Sequence, residues 1–135
     1  MTLILCVDNQ GGLAFHNRRQ SQDRAVRADI LQLCKDHALW VTAYTASQFA
    51  AEEQVRLTIV QTGFEHAAQD VYCFLENVDI MPYIACAKEI VLYHWNRVYP
   101  SDQRLSFPLE GWNCSERIEF SGYSHEKITR EVYRQ

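Results

Sequence analysis

The stretch Leu3-Ile4-Leu5-Cys6-Val7, followed at once by Asp8-Asn9-Gln10-Gly11-Gly12, decides the fold class. Apolar residues run here without polar alternation. That is the pattern of a strand buried on both faces, not of one lying between core and water. The polar residues and glycines behind it stop the strand in a turn. A sheet covered on both faces needs helical layers on either side, and the following segments supply them.

Val26, Ile30, Leu33, Cys34 and His37 fall at helical spacing and line one face, leaving Arg24, Arg27 and Lys35 for solvent. Ser21 is the expected N-cap, with Asp23 in the first turn, where a carboxylate favours the positive end of the helix dipole. Leu39-Trp40-Val41-Thr42 reads as a second strand, and Thr45-Ala46-Ser47 opens a second helix running through Phe49 towards Val55. Arg56 to Asp70 has no legible period. Val71 to Leu75 is a third buried strand. Val78 to Ala87 is a short helix whose start moves to near Met81, because Pro82 is tolerated only in a first turn.

Ile90-Val91-Leu92-Tyr93 marks a central strand within Glu89 to Trp95. The last third changes period. Trp112, Cys114, Ile118 and Phe120 are expected on one strand face, with Glu116 the exception, and Ile128 and Val132 point inward from the final strand. Gly122 lies in the connection. The order predicts a single α/β domain over 1–135, with a mixed sheet that starts parallel and finishes antiparallel.

Composition bounds the partners. A chain of 135 residues that is 47% hydrophobic and 22% charged can bury a real core. The net charge of −4 removes a general pull on nucleic acid, although Arg18, Arg19, Arg24 and Arg27 cluster locally. The cysteines Cys6, Cys34, Cys73, Cys86 and Cys114 form no CxxC pair, and such usage fits a reducing compartment. The opening apolar run is too short for a signal peptide or a membrane span, so a cytoplasmic location is expected.

Several short motifs, taken in order, resemble dihydrofolate reductase. Ile4 to Asp8 and Gly11-Gly12-Leu13 look like that family's first strand and the glycine turn opening its active-site loop. Asn17 and Asp23 look like the asparagine and catalytic acid that bracket the loop. Leu39 to Phe49, with Thr45 at its centre, is similar to the second strand and the Gly-Arg-x-Thr turn. Leu92-Tyr93-His94-Trp95, Phe107-Pro108, Gly111-Trp112, Ser124-His125 and Val132-Tyr133 follow the closing strands. The resemblance implies a three-layer dihydrofolate-reductase-like fold with a shortened middle.

The departures bear on the cofactor. Thr42-Ala43 stands where the family has Gly-Arg, and an arginine there would grip the NADPH ribose phosphate by paired contacts. Phe74-Leu75-Glu76-Asn77 stands where a Gly-Gly pair would let backbone approach a pyrophosphate, and Glu76 would repel it. The proline-rich part of the loop is missing too. NADPH is therefore disfavoured as cofactor. Some small bacterial proteins of this kind carry the label ribonuclease Z, which would need a His-x-His-x-Asp-His zinc cluster. His16, His37, His66, His94 and His125 are each isolated, so no metal is expected and a metal-dependent ribonuclease is set aside.

The resemblance makes Asp23 the candidate catalytic residue, protonating a ring or binding its amino group; the plain alternative is a helix-dipole acid. Asn17, Arg18 and Arg19 precede a helix N-terminus and could hold a phosphate, an acidic ligand tail or an RNA backbone. They read otherwise as a solvated loop, or as arginines paired with acids in a homo-oligomer. Thr45 is a candidate ligand contact or a helix cap. Tyr93 and Trp95, with Arg97 and Tyr99, end a central strand and could stack on a planar ring, or form core or an interface. His125 and Glu126 point to opposite faces of a strand and are not paired.

Three functions follow. The first is binding of a planar heterocyclic or nucleotide-like ligand without the family's NADPH use. The second is an NADPH-dependent pterin or flavin-type reductase. The third is a non-catalytic RNA or protein partner acting through Arg18 and Arg19.

Overall fold

A computed structural model describes residues 1–105 and 109–135, so the Phe107-Pro108 motif lies outside the described residues. Strand β1 is Thr2–Val7, and a hairpin of β2 (Gly12–Phe15) and β3 (Arg18–Arg19) leads into helix α1 (Arg24–Leu33). Strand β4 (Leu39–Val41) runs into the single-turn helix α2 (Ala43–Ala46), a 3-10 segment at Ala51–Arg56 and β5 (Leu57–Ile59). A 3-10 turn at Phe64–His66 precedes β6 (Tyr72–Phe74), α3 (Met81–Cys86) and β7 (Glu89–His94). The chain closes with β8 (Gln103–Arg104), β9 (Asn113–Phe120) and β10 (Ile128–Arg134).

The main sheet has the order β5-β4-β6-β1-β7-β10-β9. All pairs from β5 to β7 are parallel, and β10 pairs antiparallel with both β7 and β9. The expected parallel start and antiparallel close are therefore present. A second, small sheet has the order β3-β2-β8.

Every residue of β1 is buried, as the unbroken apolar run predicts. Successive side chains go to opposite faces. Ile4 and Cys6 join Val26, Ile30, Phe49 and Phe74 under α1 and α2, while Leu3, Leu5 and Val7 join Phe64, Ile80 and Leu92 on the α3 side. This gives three layers. Among the described residues, no helix is long and apolar enough to cross a membrane.

Four details correct the sequence reading. The N-cap of α1 is Asp23, whose carboxylate accepts from the Ala25 amide at 2.7 Å, while the Ser21 hydroxyl lies against His125 instead. Helix α2 begins earlier than expected, capped by Thr42, whose Oγ1 accepts from the Thr45 amide at 3.2 Å, and it stops after one turn. The illegible middle contains an edge strand, β5, whose Thr58 and Ile59 are exposed. Finally, β9 is bulged. Cys114 opposes Tyr133 and Glu116 opposes Val132, leaving Ser115 unpaired. The extra residue moves Cys114 to the face opposite Glu116, Ile118 and Phe120, so the predicted single stripe is split.

Candidate functional site

The carboxyl ends of the parallel strands β6, β1 and β7 meet at one place, where open α/β sheets offer a crevice. Cys6, Leu75, Glu76 and Trp95 come from these ends, and Leu13, Arg19 and Ser21 from the hairpin and the segment after it. The crevice is filled. A cavity of about 10 Å³ remains, room for roughly one water molecule.

What fills it is an ion pair built from side chains. Arg19 Nε donates to both oxygens of Glu76, at 3.1 and 3.2 Å. Thr45 Oγ1 and Gln48 Nε2 donate to Glu76 Oε1 at 3.0 and 2.9 Å. The side chains of Arg19 and Glu76 are 16% and 6% exposed. The Arg19 guanidinium sits 4.2 Å above the Tyr44 ring and donates through Nη2 to the Tyr44 carbonyl at 3.0 Å. Burial pushes the Glu76 carboxyl above its ordinary value, against the opposing pull of Arg19, Thr45 and Gln48.

Arg19 is delivered by the tip of the small sheet. His16 and Asn17 turn the β2–β3 hairpin with φ of 51° and 59°, the left-handed pair that a two-residue hairpin loop requires. Asn77 Nδ2 donates to the Asn17 carbonyl at 2.9 Å, tying the turn to the segment that follows Glu76.

A second buried carboxylate lies behind the crevice wall. Asp23 accepts from the amides of Ala25, Tyr123 and Ser124 at 2.7, 2.9 and 2.9 Å, and from that of His125 at 3.1 Å. His125 Nδ1 approaches Asp23 Oδ2 at 2.8 Å, and the two side chains are 2% and 0% exposed. Burial alone would raise this carboxyl. The amides of Tyr123, Ser124 and Ala25 and the His125 ring outweigh it and hold Asp23 well below the usual carboxylate range.

An ionised carboxylate only accepts, so Nδ1 carries the proton that His125 gives it, and in the neutral ring Nε2 is the acceptor. Two hydroxyls compete for that nitrogen, Ser21 Oγ at 3.0 Å and Tyr99 at 2.9 Å. The ring stacks on Trp95 with centroids 4.7 Å apart. The connectivity is that of a serine–histidine–aspartate relay. With the ring enclosed and its one acceptor shared, it acts as a fastening between α1, the 122–125 turn and the crevice wall. Gly122 permits it, because a Cβ there would meet the His125 carbonyl at 2.4 Å and Asp23 Oδ2 at 2.9 Å.

The predicted site residues divide between these places. Arg19, Thr45 and Trp95 converge on the crevice, Thr45 through Glu76 and not as a cap. Arg18 is exposed, while the charge of Arg19 is engaged by Glu76. Asn17 contributes its carbonyl to Asn77. Tyr93 is buried, and its hydroxyl donates to Asp29 on α1 at 2.6 Å. Asp23 is enclosed in the fastening.

Sequence reading missed Tyr44 and Gln48, missed that Glu76 has a partner, and missed that His125 faces Asp23. These contacts join residues 25, 28, 57 and 102 positions apart, and no local spacing announces them. Among the described residues, no three or more His, Cys, Asp or Glu side chains group so as to hold a metal ion.

No family model matches the chain, and no curated protein matches it. Among solved structures, dihydrofolate reductase from Enterococcus faecalis, complexed with NADP(H) and RAB-propyl, superposes with a TM-score of 0.66. The match covers 98% of this chain and 94% of that one at 12% identity. The chain has a divergent dihydrofolate-reductase-like fold, and at that identity the likeness is one of fold alone.

Proposed function

We propose that the protein binds a planar heterocyclic or nucleotide-like ligand in the crevice at the ends of β6, β1 and β7, without the NADPH use of the enzyme whose fold it shares. One observation carries this reading: a buried carboxylate, Glu76, held by replaceable side chains at the crevice of a parallel sheet. Convergent polar groups among apolar walls are the mark of a small-molecule site. The neighbour of the same fold is complexed with NADP(H). The residues here do not fit that group, because Glu76 sets a carboxylate where a pyrophosphate would need backbone amides.

Asp23 enters this reading as a positioning residue. It holds the His125 ring against Trp95 and Ser21, both in the crevice wall, and is not itself among the residues lining the crevice. The engagement of Arg19 with Glu76 counts against an RNA or protein partner that needs Arg18 and Arg19 together.

The test is thermal unfolding in the presence of NADPH, dihydrofolate, FMN and common nucleotides. A ligand at a hundredfold excess over its Kd adds about 2.7 kcal/mol. The expected result is a shift with a ring compound and none with NADPH. A clear NADPH shift overturns the reading in favour of a reductase. No shift with any compound moves the weight to a macromolecular partner.

A further inference from the structure

We infer that the crevice is built to take a planar guanidinium or amidinium cation, and that Arg19 occupies its seat as an internal stand-in. The inference rests on the small-ligand reading above and names the chemistry of that ligand.

The first ground is that the anionic seat is assembled without Arg19. Thr45 and Gln48 each donate to Glu76 Oε1, so the carboxylate stays oriented when the guanidinium leaves. Among the described residues Arg19 is the one donor to the second oxygen, at 3.2 Å, so that oxygen loses its hydrogen bond when the guanidinium leaves. An enclosed carboxylate in that condition takes either a cation or a proton, since an uncompensated charge in such a place is costly.

The second ground is geometry. Arg19 presents a flat delocalised cation, edge towards Glu76 and face over the Tyr44 ring at 4.2 Å. That combination of a carboxylate at the edge and an aromatic ring at the face suits a planar cation far better than a tetrahedral ammonium. Leu13, Leu75, Ile80 and Trp95 supply apolar wall for whatever extends from the charged edge.

The third ground is that the stand-in sits on a short strand outside the main sheet. Strand β3 has only two residues and pairs with β2 alone, in a sheet separate from the main one. Moving β3 breaks the Arg19–Glu76 pair, the two hydrogen bonds from Arg19 to Tyr44 and the Asn77–Asn17 hydrogen bond, and none of these is a ladder bond of the main sheet. A free cation can therefore replace Arg19 without disturbing the core.

The experiment removes the stand-in and offers matched probes. Arg19→Ala is titrated with methylguanidinium and with methylurea, which has the same shape and no charge, while the melting temperature is followed. Methylguanidinium is expected to restore stability to the variant and methylurea to leave it unchanged. Glu76→Gln in the same background is expected to weaken the methylguanidinium effect by at least about tenfold, as loss of one partner of an enclosed charge pair does.

Should Arg19→Ala fail to fold, the wild-type protein decides the matter. Benzamidine and benzamide are then compared through the NMR signal of the Trp95 indole, and benzamidine alone is expected to move it. Equal responses to the charged and neutral members of either pair overturn the cation assignment and leave the small-ligand reading standing. No response to any of the four compounds, in a folded variant and in the wild type, also overturns the cation assignment, while the small-ligand reading stands or falls on the heterocycle and nucleotide titration.

Discussion

Of the carboxylates buried within this fold, Asp8, Asp23, Glu76 and Glu131, two are held in opposite ways. Asp23 is fixed by four backbone amides, the Ser124 hydroxyl and a histidine ring. Glu76 is fixed by the side chains of Arg19, Thr45 and Gln48. The two titrate in opposite directions accordingly. Backbone donors are part of the fold and cannot leave, so Asp23 is stabilised as an anion and its carboxyl is lowered. At Glu76 burial outweighs the pull of Arg19, Thr45 and Gln48 even with all three in place, so its carboxyl is raised. The kind of donor does not set the direction alone, because Glu131, held by Arg117 and Tyr133 side chains, is also lowered; what distinguishes Glu76 is that its burial outweighs its donors.

The comparison breaks most directly at Asp23. Asp23→Ala removes the cap of α1 and strands the enclosed His125 ring, and we expect a loss of about 3–5 kcal/mol in urea unfolding at neutral pH. A loss below about 1 kcal/mol, the worth of a simple helix cap, would show that the fastening contributes little. Arg19→Ala should cost less, about 2 kcal/mol, because Thr45 and Gln48 remain on Glu76. Adding Glu76→Gln should recover much of that loss, since a neutral amide needs no cation. If the double variant is as unstable as the single one, the charge on Glu76 is not what Arg19 compensates.

pH separates the two groups by sign. The Asp23 carboxyl is lowered from 3.8 in the fold, so its contribution is present above that pH and is lost as pH falls through the folded value. The Glu76 carboxyl is raised from 4.5, so its contribution is complete below that pH and is lost as pH rises through the folded value. Urea midpoints should therefore show the wild-type advantage over Asp23→Ala shrinking on acidification. The wild-type balance against Glu76→Gln should move the other way. Parallel trends would mean that the two carboxylates are not held differently after all.

Thr42→Ala is the smallest probe. It removes the cap of the helix that carries Thr45 towards Glu76, at a cost of about 1 kcal/mol. If α2 presents the Glu76 donors, the same change should also weaken any ligand that binds the crevice.

Much of the fold was legible because burial writes a period into the chain. The continuous run at Leu3 to Val7, the helical stripe at Val26, Ile30 and Cys34, and Pro82 in the first turn of α3 each follow from one local rule. What escaped was set by tertiary contact. Ser21 and Asp23 are both good caps, and the choice went to Asp23 because the turn at 122–125 offers it more amides. The bulge at Ser115 is one residue in an exposed edge strand and leaves no trace in composition. Glu76 was visible as a defect in a glycine pair, but its partner arrives from a hairpin 57 positions earlier. Local sequence carries the absence of a phosphate site more readily than the presence of the ion pair that replaces it.

The attachment of Arg19 to its own hairpin has a consequence for anyone screening this protein. A tethered group competes with free compounds at an effective concentration of the order of millimolar. A compound added to the wild-type chain is measured against that standing competitor, and its apparent affinity falls by the fraction of time the arginine is seated. Libraries screened on the unaltered protein would discard the weak, small cations first, and these are the starting points that a chain with position 19 truncated would retain.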